Sequence, residues 1–179
     1  MSEAYQKANK DDFNKIKKFK VLKRSRFFEF PKLGFFELDR IIEKIKNSSG
    51  GILLIDYGYL NTVNQSTLQA VKKNKKTDMS FLLKNLGKVD ITSLVNFSLL
   101  KEYFIKNNLK VKKIISQKFF LEKMGIIDRA KILERSMTIK QKNYMSFTLR
   151  RLLHKQLMGE LFKVIFAFKS KNSNFLGFK

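Results

Sequence analysis

The stretch Gly50-Gly51-Ile52-Leu53-Leu54-Ile55-Asp56-Tyr57-Gly58 constrains this chain more than any other. Four consecutive aliphatic residues leave no polar face for a surface helix, and the glycine pair before them stops any helix arriving from upstream. A short aliphatic run without alternation reads as a strand buried on both faces, as in the parallel sheets of α/β proteins. Asp56-Tyr57-Gly58 then reads as an acidic loop just past the strand's carboxyl end, where open α/β sheets place their ligands. The residues upstream agree. Apolar side chains at Phe35, Leu38, Ile41, Ile42 and Ile45 have helical spacing, and Asn47-Ser48-Ser49 leads into the glycine pair that ends the helix. Helix, Gly-Gly turn and strand outline one βαβ half-unit.

The remaining elements are read around that unit. Residues 1–20 are polar and Lys-rich. Phe19 to Phe30 alternates loosely and predicts a strand that Pro31 ends, with Val21, Leu22, Phe27 and Phe28 to offer to a neighbouring strand. Residues 59–90 read mostly as loop, with Lys72, Lys73, Lys75 and Lys76 in the middle. Asp90 or Thr92 is the expected cap of a helix carrying Leu94, Phe97, Leu100 and Phe104, ended by Asn107-Asn108. Leu109 to Ser116 alternates as a strand. Helices are expected over 117–124 and 129–155, with Gly125 between them and Asp128 as a cap. Leu161 to Phe168 is the last strand, and the tail from Ser170 is polar, then aromatic.

Much chemistry is excluded. Without Cys there is neither a disulfide nor a Cys-based zinc site, and the one His, His154, has no ligand partner at metal spacing and reads as an exposed helix-end residue. Neither G-x-G-x-x-G nor the P-loop pattern occurs, and there is no G-x-S-x-G elbow. No apolar run approaches the roughly 18 residues of a membrane span. Glu3, Asp11 and Asp12 in a start lacking an apolar core argue against a signal peptide. A soluble protein of the cytoplasm is expected, with the mitochondrial matrix as the alternative. The 38 basic and 15 acidic residues give a net charge of +23, but 31 of the basic residues are Lys, 13 Asn accompany them, and the excess is spread along the chain. Those are residues of AT-rich codons, so base-composition drift accounts for the charge. Nucleic-acid binding is then expected to be non-specific at most.

Several strings read together carry a resemblance. After the nine residues from Gly50 to Gly58 come Thr67-Leu68-Gln69-Ala70-Val71, Asp90-Ile91-Thr92, Val95-Asn96-Phe97, Ser116-Gln117 with Phe119 to Leu121, Gly125-Ile126-Ile127-Asp128-Arg129-Ala130, and Met158-Gly159-Glu160-Leu161-Phe162-Lys163-Val164. In this order and spacing, from about Glu29 to Ala167, the chain resembles the C-terminal half of the mitochondrial dysfunction protein A (MidA) family of class I S-adenosylmethionine-dependent methyltransferases. The fold implied is α/β, the C-terminal part of a Rossmann-like sheet of order 3-2-1-4-5-7-6. This chain would supply strands five (52–55), six (109–116) and seven (161–168), with flanking helices. The implied layout is a poorly matched segment 1–28, the methyltransferase portion 29–169 and a tail 170–179.

The resemblance implies methyl transfer from S-adenosylmethionine to an arginine of a respiratory complex I subunit. It places Asp56, Tyr57 and Gly58 on the substrate side, with Gln69, Asn96 and Gln117 as further candidates in the same loops. The sequence departs from the family at Asn96, where Asp is usual, and at Asn74, where His is usual. The family's Gly-rich loop, ribose-binding acid and N-E-x-x-D-A-L-P-like string have no counterpart in residues 1–28. No catalytic, metal or cofactor-binding residue is therefore assigned, and the isolated chain is expected to lack activity. The edge of strand five facing the missing strand four is expected to be bare, so the chain should self-associate or take an N-terminal half as partner. A non-enzymatic basic module binding nucleic acid or an acidic protein is the alternative function.

Overall fold

A computed structural model describes residues 7–21, 27–61, 63–73, 75–77, 79–85 and 87–179 of the chain. Asn74, Leu22 and the rest of 22–26 lie outside the described residues.

The half-unit is present. Helix α1 spans Lys10–Lys17, and α2 spans Lys32–Ser48, starting directly after Pro31 and stopping at Ser49, whose φ of 59° is left-handed. Strand β1 follows as Gly51–Tyr59. It is longer than expected: Asp56, Tyr57 and Gly58 lie within the strand and form no loop after it. The physical reason is continuous pairing. The last strand, β8 (Phe162–Phe168), runs antiparallel to β1 from Gly51↔Phe168 to Tyr57↔Phe162, and β5 (Val95–Asn96) takes over in parallel at Gly58↔Val95 and Tyr59↔Asn96. Helix α4 (Phe97–Lys106) follows β5 without a break. Two short strands, β6 (Lys110–Val111) and β7 (Ile115–Ser116), then pair antiparallel with the other edge of β8. The lateral order β5-β1-β8-β6 contains the expected five-seven-six neighbours, with strand seven antiparallel. Expected strand six is broken in two, although the Lys112 amide still donates to the Phe166 carbonyl at 2.9 Å.

One face of this sheet makes the main core. Phe35, Ile42 and Ile45 of α2 meet Phe97, Leu99, Leu100, Tyr103 and Phe104 of α4 over Ile165 and Ala167, with Ile52 and Leu54 of β1 packed against them. Phe19 joins this core, but Phe19 and Phe27–Phe30 are not in a strand. The aromatic side chains of that segment are taken up by α2 and α4, with Phe30 edge-on to Phe35 at 5.4 Å. On the opposite face, Phe166 contacts Phe175 and Phe178 of the tail, and Phe178 contacts Phe120 of α5 (Gln117–Lys123). Gly177, at φ 82°, lets the tail cross this ring; a Cβ there would stand 2.4 Å from Phe120.

These layers cover β8 on both faces, with Val164, Ile165 and Ala167 fully buried. β1 is not so covered. Leu53 is 44% and Ile55 41% exposed, against the expectation of a doubly buried strand, because among the described residues the helices pack on the Ile52 and Leu54 side. Among the described residues, 51–57 of β1 pair with β8 alone.

Other expectations are corrected. Residues 59–90 are not mostly loop. Strands β2 (Gln69–Lys72), β3 (Lys75–Thr77) and β4 (Asp90–Thr92) form a small antiparallel sheet of order β3-β2-β4, with helix α3 (Met79–Lys84) between β3 and β4. Asp90 and Thr92 are therefore strand residues, and Asn96 caps α4. The helix expected over 129–155 is two: α6 (Ile126–Glu134) and α7 (Ile139–Leu153). Thr138 and Gln141 form a capping box that restarts the chain as α7, and Asp128 lies in the first turn of α6 behind the cap Gly125. A π-turn over Lys155–Gly159 leads into β8. No helix among the described residues is long and apolar enough to cross a membrane.

Candidate functional site

The carboxyl end of β1 is where the chain concentrates polar groups beside a cavity. Pairing of Tyr59 with Asn96 places the start of α4 there. The Asn96 side-chain oxygen accepts the Leu99 amide at 3.0 Å, satisfying a donor that the first helical turn leaves free. The Ser98 hydroxyl donates to the Leu60 carbonyl at 2.6 Å and fixes the strand end to the helix. Gly58 is buried between them. A Cβ at Gly58 would lie 2.2 Å from the Val95 carbonyl oxygen and 2.7 Å from the Phe97 ring, so the close approach of β1 to β5 and α4 requires glycine.

Across this junction opens a cleft of about 600 Å³, walled by α2, α4, Leu54 of β1 and residues 93–96. Glu29 stands at its rim. Its carboxylate accepts the Thr67 amide at 2.9 Å, the Thr67 hydroxyl, and the Ser66 hydroxyl at 3.3 Å. The Thr67 hydroxyl oxygen in turn accepts the Leu94 amide at 2.9 Å. This chain of bonds ties the approach to the small sheet onto the main one. The Tyr59 phenol is pushed up from its ordinary value by burial and then by the Glu29 charge, against a side-chain hydrogen bond with Asn96 that lowers it. Within the core behind the cleft, the Tyr103 hydroxyl bonds the Asp39 carboxylate and the Phe35 carbonyl; burial, then Asp39, pushes its pKa up.

Four of the six expected site residues meet at this end. Asp56 is half-buried on the same strand face as Leu54, which lines the cleft. One of its oxygens accepts the Tyr57 amide at 2.8 Å. Tyr57 sets its ring edge-on to Phe162 at 5.4 Å. Gly58 and Asn96 form the junction itself. Gln69 lies on the small sheet, opposite Thr92, one residue from Leu68 at the cleft rim. Gln117 does not join them: it is buried at the start of α5, and its amide donates to the Leu152 carbonyl of α7 at 2.9 Å, which holds two helices together. Glu29, Tyr59 and Thr67 were not singled out from the sequence. Glu29 and Thr67 are 38 residues apart, and no local spacing joins them.

Residues 5–115 match a family model described as S-adenosyl-L-methionine-dependent methyltransferase. The chain belongs to this family. It is also similar to a curated Caenorhabditis elegans protein, the mitochondrial protein arginine methyltransferase NDUFAF7 homolog, at 30% identity over 92 residues, which is 51% of this chain and 21% of that protein. Among solved structures, an uncharacterized protein from Burkholderia thailandensis superposes with a TM-score of 0.63 at 25% identity, over 78% of this chain and 39% of that one. A second solved structure from Burkholderia thailandensis, bound to S-adenosyl-homocysteine, superposes with a TM-score of 0.58 at 24% identity, over 78% of this chain and 38% of that one. The chain therefore spans about a fifth of the worm relative and under two fifths of the solved structures. The Rossmann-like methyltransferase fold expected from the sequence is the fold of this family chain.

The family implies S-adenosylmethionine. Holding a nucleoside takes a carboxylate free for the ribose hydroxyls and a glycine-rich turn that brings backbone amides to the ligand. The cleft's one carboxylate, Glu29, is taken up by Ser66 and Thr67, and its walls are mostly apolar. The residues around the cleft do not by themselves make a seat for that cofactor. Among the described residues no group of three or more His, Cys, Asp or Glu is placed to hold a metal ion.

Proposed function

We propose that this family chain forms the substrate-facing side of a methyltransferase that acts on a protein arginine. The observation that carries the reading is Asp56, a half-buried carboxylate toward the carboxyl end of β1, on the strand face of Leu54, which lines the cleft. With one oxygen engaged by the Tyr57 amide, the carboxylate is oriented and keeps its second oxygen for a cation. A planar guanidinium makes charge-assisted hydrogen bonds to such a group. Holding the nucleophilic nitrogen in one orientation is a main source of rate in transfers of this kind. The similarity to a worm protein arginine methyltransferase supports the same substrate class. The free edge of β1 is the surface on which a further strand, in the place of strand four, would pair.

Calorimetry on the 179-residue chain tests this division of labour. An arginine-bearing peptide should bind, and Asp56→Asn should weaken it about tenfold through loss of a charge-assisted pair. S-adenosylmethionine should bind more weakly than about 1 mM, or about −4 kcal/mol. Low-micromolar cofactor binding would show that the chain holds its own cofactor seat. Equal peptide binding by Asp56→Asn would remove Asp56 from the substrate side.

A further inference from the structure

Helices α6 and α7 lie beyond the residues that match the family model, which end at 115. They carry an unusual surface. Not one residue of α7 is buried, although the helix is 15 residues long. Ile139 is 79%, Tyr144 74% and Phe147 66% exposed, and on α6 Ile132 is 62% exposed. Between the two helices runs a groove of about 530 Å³ lined by Leu133, Met137, Lys140, Gln141, Tyr144, Met145 and Thr148. The two helices and the turn between them expose Arg129, Lys131, Arg135, Lys140, Lys142, Arg150 and Arg151 against two acids, Asp128 and Glu134. Lys140 lines the groove, Arg129 stands one turn before Leu133 on α6, and Arg151 shares the Lys140 and Tyr144 side of α7. No ion pair among the described residues uses any of these seven cations.

We infer that the α6–α7 groove is a docking surface for an acidic, amphipathic protein segment, apolar side chains in the groove and carboxylates on the Lys and Arg rim. Charge complementarity selects the sign of the occupant. A second copy of this chain would bring its own net charge of +23 to a surface that is already basic. A lipid surface fits poorly because a helix lying in a membrane interface separates its apolar and charged faces. Beside the groove on α7 they interleave: at about 100° per residue, Phe147, Lys140, Arg151 and Tyr144 share one arc of about 60°. A partner presenting apolar and acidic groups in the same stripe matches that mixture. Sequence-specific nucleic-acid readout fits poorly for another reason, and phosphate attraction without it is non-specific. Base edges are read by free donors and acceptors. The groove's uncharged polar side chains already bond within the helix: the Gln141 oxygen accepts the Thr138 amide at 2.9 Å, and the Thr148 hydroxyl donates to the Tyr144 carbonyl at 3.0 Å. What remains is a floor of Leu, Met and Tyr. Flexible Met side chains suit a groove that adapts to apolar anchors on a helix. The inference does not depend on methyl transfer or on Asp56.

The test is fluorescence anisotropy of the full chain with a labelled helical peptide of about 16 residues, Leu at i, i+3, i+4 and i+7 and Glu elsewhere. Binding should be lost when Gln replaces Glu, and when the same residues are shuffled so that no apolar stripe remains. Tyr144→Ser and Lys140→Glu should each weaken binding about tenfold, the scale of an interface anchor. Both side chains are exposed, so circular dichroism should stay that of the parent. Lys171→Glu, an exposed residue of the tail, is the charge control and should change binding less than about twofold. Equal losses at Lys171 and Lys140, or equal binding of the shuffled peptide, would reduce the effect to diffuse attraction and overturn the proposal. Tighter binding of oligouridylate or of phosphatidylserine vesicles, sensitive to Tyr144→Ser, would overturn it in favour of RNA or membrane.

Discussion

Replacing Leu53 and Ile55 together with Lys tests whether the free edge of β1 drives association. Along 51–57, β1 offers one edge to β8; among the described residues its other edge has no strand partner. Leu53 and Ile55 keep 44% and 41% of their surface in water on the face that α2 and α4 do not cover. Burying a whole Leu or Ile contributes about 1.5–3 kcal/mol, so the uncovered part of each is worth about 1 kcal/mol. A strand that covers both gains about 2 kcal/mol. Two copies pairing symmetrically gain about 4 kcal/mol, near three orders of magnitude in the dissociation constant. The assay is sedimentation velocity at tens of micromolar, in about 1 M salt so that the charge of each copy is screened over about 3 Å. The parent should sediment as associated species and the double variant as a monomer with an unchanged melting temperature. Leu54→Lys is the control: Leu54 packs against the main core, so that variant should lose stability rather than merely dissociate. A monomeric parent, or a double variant that associates like the parent, would refute the edge argument.

Two further outcomes follow from single hydrogen bonds. Asn96→Ala removes the cap of α4 and should cost about 1 kcal/mol in thermal unfolding. It also removes the contact that lowers the Tyr59 pKa, so Tyr59 tyrosinate absorbance should appear at higher pH than in the parent. Tyr103 is held protonated in the folded state by burial and by Asp39. Its contribution to stability is therefore complete below the unfolded value of about 10 and is lost as pH rises above it. Tyr103→Phe should cost about 2 kcal/mol at neutral pH and should flatten that alkaline decline in denaturant melts.

The helix over Lys32–Ser48 was legible from its helical spacing between Pro31 and the glycine pair, and the strands from Gly51 and up to Phe168 from dense apolar runs that follow Gly50 and Gly159. The small sheet was not. Its strands are three or four residues long, and Lys72, Lys75 and Lys76 give them no apolar alternation to detect. Two caps were visible in principle: Asn96 directly precedes the apolar run of α4, and Thr138 precedes Gln141 at capping-box spacing. Both are masked in the sequence, Asn96 because it reads as a departure from the family and Thr138 because apolar residues on either side of it read as one helix over 129–155. In the site, the convergence of Asp56, Gly58 and Asn96 followed from strand order. The placement of Glu29 on Thr67, and of Gln117 on Leu152, depends on side-chain contacts across 35 to 38 residues that no local pattern carries.

The difference between β1 and β8 shows what a hydrophobic run encodes. Both are aliphatic or aromatic without alternation, and each alone reads as a strand sandwiched by two layers. Composition reports what a strand's faces can bury, not which partner buries them. β8 receives α2 and α4 on one face and the Phe175 and Phe178 tail with Phe120 on the other, so Val164 and Ile165 are fully covered. β1, one position further along the sheet, receives the first layer but leaves Leu53 and Ile55 in water. Both layers that cover β8 come from this chain. The solved relatives, of which this chain spans under two fifths, have more polypeptide than is seen here. The uncovered apolar side chains of β1 therefore lie on the same strand as Asp56. If a further strand pairs with the edge at Leu53 and Ile55, as the proposed function requires, completing the sheet and completing the site are one event.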